Sequence, residues 1–393
     1  MSKKPYQVVQ REVQELEEKI HMHRKRVLQK ILLIGVLVLL IAVSLHYVHK
    51  NKSYTNYRVV KSMERADSPG TRFEKFQGNI LKYSNDGVFC INEKNQLIWN
   101  QAYEMQSPML DICQGYAVIA DEKGKKIYIM NENGTCGEIN TSRFIQQVHV
   151  ANQGTVAVLM EEKGTGYIQL YDKAGNFLVE GELHAQNSGY PLDIAISEDG
   201  RKMVVTMLDI NEGKIKTTVA FYNFGSVGQN EIDNIVSSYP YNDTIMTKVE
   251  FLTNDIAVAI GDNKMIFYQG SQKPVVSKEI EIKQKIKSLF YNEKYIGLVF
   301  DNEERDNPFR AEIYNINGKK IREIEFSTKY DRIKFLENNE ICILNNQECT
   351  IYTLGGIRRF YYEFKTDIFE VFHKRGHQYL FLMSEYTEKV RLK

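Results

Sequence analysis

Proline is scarce in this chain, tryptophan occurs once, and the cysteines never stand side by side. Only 7 prolines fall among 393 residues. Each proline removes a ladder donor, so their scarcity leaves room for extensive β-sheet. The cysteines, Cys90, Cys113, Cys136, Cys342 and Cys349, form no CxxC pair and no zinc-ligand spacing. Cys90, Cys113 and Cys342 sit inside apolar strand-like runs and read as small buried hydrophobes. Cys342 and Cys349 fall on neighbouring runs whose registers do not obviously face each other, so no obligatory disulfide is expected. Charge of one sign is also missing: 51 basic and 50 acidic residues leave a net charge of +1, which argues against a nucleic-acid partner. No P-loop, GxSxG or HExxH occurs. His373 and His377 flank Arg375-Gly376, which reads as a turn between strands and not as one helix face. The acid-rich stretch 301–308 lacks the alternating aspartates of a calcium loop. Neither a metal nor a cofactor is expected.

What the chain does have is one long apolar run. Residues 31–48, ILLIGVLVLLIAVSLHYV, carry no Asp, Glu, Lys or Arg. A helix of this length spans roughly 27 Å, close to a bilayer's hydrocarbon core. Ala42-Val43-Ser44 fits a signal-peptidase site, but 30 residues precede the run and no polar region leads into that site, which favours an uncleaved anchor. Arg24, Lys25, Arg26 and Lys30 abut its N-terminal side and predict that this side stays in the cytoplasm. Upstream, Val9, Val13, Leu16, Ile20, His23 and Val27 alternate in steps of four and three. That seam suits either a short coiled coil, pairing two copies of the chain, or one amphipathic helix on the inner membrane surface. The expected layout is a cytoplasmic basic helix at 1–30, a transmembrane helix at 31–48, a linker at 49–56 and an extracytoplasmic domain at 57–393.

The rest of the sequence repeats itself. YIQLYDKAGNFLVEG at 167–181 returns in outline as IYIMNENGT, FYNFG, IYNINGKKI and IYTLGGIRR. Aligning Cys90, Tyr128, Tyr171, Tyr222, Tyr268, Tyr314, Tyr352 and Arg391 gives a period of about 40–45 residues, the range of propeller blades. Each unit reads as four strands rich in β-branched and aromatic residues, separated by Asn-Gly, Asp-Gly or Ala-Gly turns. Eight units fit (seven is the alternative), with inner strands beginning near Phe73, Met109, Phe144, Leu192, Met246, Ile286, Arg332 and Phe369. The last unit has only three strands, and YRVVKSME at 57–64 is expected to supply its fourth and close the ring. The fold class is therefore all-β, an eight-bladed β-propeller behind an N-terminal helix and a membrane span. The tyrosines at the repeat position are read as packing between blades.

AISEDGRKMVV at 195–205 resembles the Ser-x-Asp-Gly turn of WD40-like and TolB-like propellers, and DGVFCINEKNQLIWNQAYE at 86–104 is similar to the repeat of quinoprotein-like propellers. With the anchor, the chain resembles an uncharacterised bacterial family of single-pass membrane proteins bearing a quinoprotein-like propeller. That resemblance implies a scaffold role. Quinone oxidation is not implied, because the adjacent cysteines are missing and Trp99 is the lone tryptophan.

Two functions compete. One is a non-catalytic module that binds a protein at the cell surface. The other is a sensor or enzyme using the central channel, which would need converging carboxylates, His or Cys that the sequence does not display as a set. A third arrangement keeps the propeller in the cytoplasm. The repeat is stretched between Tyr171 and Tyr314. The added length is expected in loops at 209–216, 234–244 and 301–310, opening on one face across blades four to six. Candidate partner-binding residues there are Asp209, Glu212, Tyr239, Tyr241, Asp243, Asp301, Glu303 and Glu304. The bland alternative is that these loops are tolerated insertions.

Overall fold

The computed structural model describes the chain apart from residues 1–4, 51, 69, 185–188, 212 and 304–305; the side chains of 5–18, 45–50 and 211 are likewise outside the description. Two compact units result, Met1–Ser53 and Tyr54–Lys393.

The first unit is one uninterrupted helix, Pro5–Lys50, running through the expected boundary at residue 30. Its stretch Lys19–Ser44 is long and apolar enough to cross a bilayer, and none of it is buried. Its exposed Leu, Ile and Val side chains suit a membrane anchor or a signal sequence. Val9, Val13 and Leu16 of the expected seam lie outside the described side chains.

The second unit is an eight-bladed β-propeller: eight four-stranded antiparallel sheets. The first strand of each blade lies at one sheet edge, and these strands neighbour one another around the ring. They are Arg72–Phe76, Pro108–Cys113, Phe144–Val150, Tyr190–Ile196, Met246–Thr253, Ser288–Tyr291, Arg332–Phe335 and Ile368–Arg375. Each begins within two residues of its expected start. Among the described residues the apolar core falls into eight clusters, each bridging two adjacent blades. No blade buries its own faces alone, so the ring stands or falls together.

Ring closure follows the expected route. Tyr57–Glu64 pairs antiparallel with Tyr386–Leu392 and completes the last blade as its outermost strand. Tyr57 packs its ring 5.3 Å from Phe381 and 5.0 Å from Tyr362, and burial, with the Glu388 carboxylate adding to it, pushes its phenol up to about 12. Ordered contact starts slightly earlier. Tyr54 is buried, and its N–H donates to the Arg359 carbonyl at 2.7 Å. Just past the closing strand, Arg65 is buried between Phe73 and Phe369, 4.6 and 5.3 Å from the two rings, with its Nε 2.8 Å from Asp67. This cation ties the last blade to the first.

The repeated phrase has a local cause. In Asp172-Lys173-Ala174-Gly175, the Asp172 carboxylate accepts from the N–H of Ala174 at 2.9 Å and of Asn176 at 2.8 Å, and Gly175 takes φ 85°. These hydrogen bonds, led by Asn176, hold the Asp172 carboxyl below its usual range. Asn92, Asn131, Asn223 and Asn315 accept the same way from Lys94, Asn133, Gly225 and Asn317. An Asx turn thus connects third to fourth strand in blade after blade. Every one of these pairings then carries a register shift at the same place. The shift shows that the true equivalents of Tyr171 include Ile91, Met130 and Val390, so the expected positions Cys90, Tyr128 and Arg391 are off by one or two residues.

Cys342 and Cys349 lie on adjacent strands as expected, in registers that do not face each other: Cys342 stands opposite Ile351 and Cys349 opposite Leu344, both buried. Burial first, then the Cys342 thiol, pushes the Cys349 thiol well up, and all five cysteines are free.

Deleting Tyr57–Glu64 from the propeller is expected to lower its stability by several kcal/mol, because a strand and its aromatic contacts are removed and a sheet edge is exposed. Thermal melting of the two forms checks this; an unchanged Tm contradicts ring closure.

Candidate functional site

A propeller offers two places for function, the channel along its axis and the rims of its blades. The channel was expected to lack converging carboxylates. It does not lack them. First strands carry Glu74, Asp111, Asp193, Glu250 and Glu370 to the axis, with Lys248, Arg332, Lys334 and Tyr291 between them. One cavity of about 250 Å³ is lined by Asp111, His149, Glu198, Glu250, Tyr291 and Glu293; a second of about 570 Å³ lies against Glu74, Lys75, Lys334 and Glu337.

Most of these groups already have partners across the blade boundaries. The free edge of each first strand points N–H groups into the channel, where no ladder partner exists. Asp111 of blade two accepts the N–H of Val150 in blade three at 2.7 Å. Gln147 of blade three accepts from Ile194 in blade four and donates to the Leu192 carbonyl, both at 3.1 Å. Asp193 of blade four accepts from Val249 in blade five at 2.7 Å. Glu337 of blade seven accepts from His373 in blade eight at 2.8 Å. Charges fill the remaining gaps. Lys248 lies 3.2 Å from Asp193 and 3.7 Å from Glu250; burial disfavours its charge, but the two carboxylates outweigh burial and raise its pKa. Tyr291 donates to Glu250 at 2.5 Å, and burial with that carboxylate pushes its phenol well above the ordinary value. Glu370 takes Lys334 at 2.8 Å and Arg332 at 3.2 Å. The arrangement does for the inner strands what a ladder does elsewhere. Among the described residues no group of His, Cys, Asp and Glu is arranged to hold a metal ion.

The rim residues expected to bind a partner are scattered by comparison. Asp209 lies on a strand, Lys202–Asn211, and pairs with Lys216 at 3.0 Å across a lengthened hairpin. Asp243 follows blade four, its N–H donating to the Ile215 carbonyl at 2.9 Å, so these two aspartates share one edge of that blade. Asp301 ends a strand two blades on and is held by Lys287 at 2.6 Å, with exposed Glu303 beside it. Glu212 and Glu304 lie outside the described residues.

Tyr239 and Tyr241 require a correction. They are not on a loop; they belong to Ile235–Asn242, the outermost strand of blade four. Tyr239 donates to the Pro274 carbonyl at 2.9 Å, and the Tyr241 hydroxyl accepts from Tyr268 at 2.8 Å. With Phe221 they fill the joint between blades four and five, 6.5 Å from Phe221 to Tyr239 and 5.3 Å from Tyr239 to Tyr268. The hydroxyls that suggested amphipathic anchors are satisfied internally.

The class of protein is thus an eight-bladed propeller following a single long apolar helix. The chain belongs to a family of unknown function, DUF5711, which matches residues 50–392. No curated protein matches it. Among solved structures it is similar to BamB from Moraxella catarrhalis, 10% identical, with a TM-score of 0.51 over 86% of this chain and 100% of that one. It is also similar to Sqt1 from Chaetomium thermophilum, solved bound to the N-terminus of ribosomal protein L10, 10% identical, with a TM-score of 0.52 over 82% of this chain and 95% of that one. At such identities the likeness is one of fold.

Asp193 supplies an acceptor to Val249 and a counter-charge to Lys248. Replacing it with Ala is expected to cost about 3 kcal/mol, since a buried amide and a part-buried cation both lose a partner. Asp193→Asn, which keeps an acceptor, should recover part of that. Denaturant unfolding of the three forms measures it.

Proposed function

We propose that this chain is a single-pass membrane protein whose N-terminus lies in the cytoplasm and whose propeller lies outside it, acting as a non-catalytic module that binds another protein. The observation that carries the reading is the state of the channel. Its carboxylates and ammonium groups hold neighbouring blades together, which leaves the outer rims as the surface available to a partner. The lengthened hairpins bearing Asp209, Asp301 and Glu303, and the turn at Asp243, add to that surface, consistent with loops being the usual carriers of recognition. The sidedness rests on Arg24, Lys25, Arg26 and Lys30 before the apolar run. A similar propeller, Sqt1, has been solved with a terminal segment of another protein bound, which lends the reading a precedent of shape. A second reading, a small ligand in the channel, draws on the 250 Å³ cavity beside Tyr291 and Glu250.

Two experiments test it. Protease added to intact or wall-stripped cells is expected to digest the chain beyond about residue 50 and spare the N-terminal tail; protection of the propeller contradicts the sidedness. Chemical cross-linking in the same cells, read by mass spectrometry, is expected to return one reproducible protein partner, and its absence contradicts the binding role.

A further inference from the structure

Each blade packs the third of its strands against the next blade, and the residue just before the recurring register shift supplies the contact. It is Cys90, Ile129, Leu170, Phe221, Phe267, Ile313 and Ile351 in blades one to seven, every one buried. In blade eight it is Lys389. Lys389 stands opposite Leu380, which packs into the cluster shared with blade one, so the lysine lies on the face turned to blade one. Its partner on the closing strand is a second cation, Lys61, and the next pair on the same face is Arg58 opposite Arg391. Cross-strand neighbours lie roughly 5 Å apart, and alternate residues of one strand roughly 7 Å. Two like-charge pairs therefore make a plate of four cations at the place where the ring closes. Like charges set directly opposite one another destabilise a sheet.

The propeller offers these four no counter-charge. Among the described residues none of Arg58, Lys61, Lys389 and Arg391 has an ion pair, and all but the half-buried Lys389 are exposed. The acids of this joint are committed elsewhere: Asp67 lies 2.8 Å from both Arg65 and Lys82, and Glu93 holds Lys374. Glu64 and Glu388 register opposite Tyr386 and Ser62, on the other face of the sheet. Val60, the bulged residue between the two cations of the closing strand, is exposed. Only residues 51–56 separate that strand from the apolar helix Pro5–Lys50. A tether of this length reaches at most about 25 Å, so a bilayer crossed by the helix keeps its headgroups within reach of the plate.

We infer that Arg58, Lys61, Lys389 and Arg391 form a site for the phosphodiester headgroups of anionic lipids in the membrane that anchors the chain. Arginine takes phosphate oxygens through paired hydrogen bonds, and lysine adds a point charge. Bound phosphate cancels the repulsion across the closing pair, and Val60 suits the apolar layer just beneath the headgroups. The short tether favours lipid over an acidic protein segment as the anion. The inference rests on the membrane anchor proposed above, and on neither the sidedness nor the protein-binding role.

The double variant Arg58→Glu/Lys61→Glu tests the site. It turns both like-charge pairs into opposite ones, so Tm should be unchanged or raised. The full chain and the variant are each reconstituted into nanodiscs of phosphatidylcholine alone and of an equal mixture with phosphatidylglycerol. Hydrogen–deuterium exchange of peptides covering 57–64 and 386–393 is expected to be about threefold slower in the mixed discs for the wild type, and the same in both discs for the variant. A wild type that exchanges equally in both discs, or a variant that still responds to phosphatidylglycerol, overturns the site. Soluble glycerol phosphate that slows exchange in phosphatidylcholine discs as strongly as the lipid does overturns the lipid assignment in favour of a free phosphate. Cross-linking of Lys61 to an acidic protein segment in cells, with no response to phosphatidylglycerol, overturns it in favour of a protein. A chain that does not enter the discs removes the anchor itself, so failure of the anchor and failure of the site are told apart.

Discussion

Everything in the propeller depends on one strand pairing. The fourth strand of the last blade comes from the start of the domain, Tyr57–Glu64, and is held by the end of it, Tyr386–Leu392. Each core cluster is shared between two blades, so an open ring would expose two half-built joints at once. Tyr57 among Phe360, Tyr362, Phe364 and Phe381 fastens the closing strand to the last two blades, and Arg65 between Phe73 and Phe369 joins the last blade to the first.

Closing a ring solves the outer edge of only one blade and leaves a second problem inside. Eight inner strands face a wet axis with unpaired N–H groups. The chain answers with a carboxylate or amide reaching from one blade to the backbone of the next, as Asp111, Gln147, Asp193 and Glu337 do. A charged channel is then a consequence of holding the blades together, and charge there is weak evidence of catalysis. The outer joints follow a different logic. They are closed by bulk, such as Tyr239 against Tyr268 or Tyr362 against Tyr57, and where bulk is missing at Gly181 a cleft remains.

The blade count and the closure were legible because their causes are local. Asp172 and its Asn counterparts make the same turn wherever they occur, and a turn leaves a signature of a few residues. The orphan strand at 57–64 stood out against that rhythm. Register was not legible: a bulge leaves the alternation of apolar and polar residues nearly intact while moving every equivalent position. That is why Tyr128 reads as the repeat position that Met130 occupies. The stretched repeat made residues 234–244 look like a loop. They form an outermost strand, where the missing N–H of Pro240 is harmless because one edge has no partner. The channel set was hidden by distance, one or two ionisable residues per blade separated by a whole repeat. Gly181 could be noticed only once the register of every outer strand was known.

The central claim is that partners meet the rims of the blades and that the channel is structural. Site-specific photo-cross-linking in living cells tests it most directly, with a photoreactive residue introduced singly at Glu182, Asp243 or Asp301 on the rim and at Tyr291 or Glu293 in the channel. The account predicts a protein adduct from at least one rim position and none from the channel positions. Adducts confined to Tyr291 and Glu293 would contradict it.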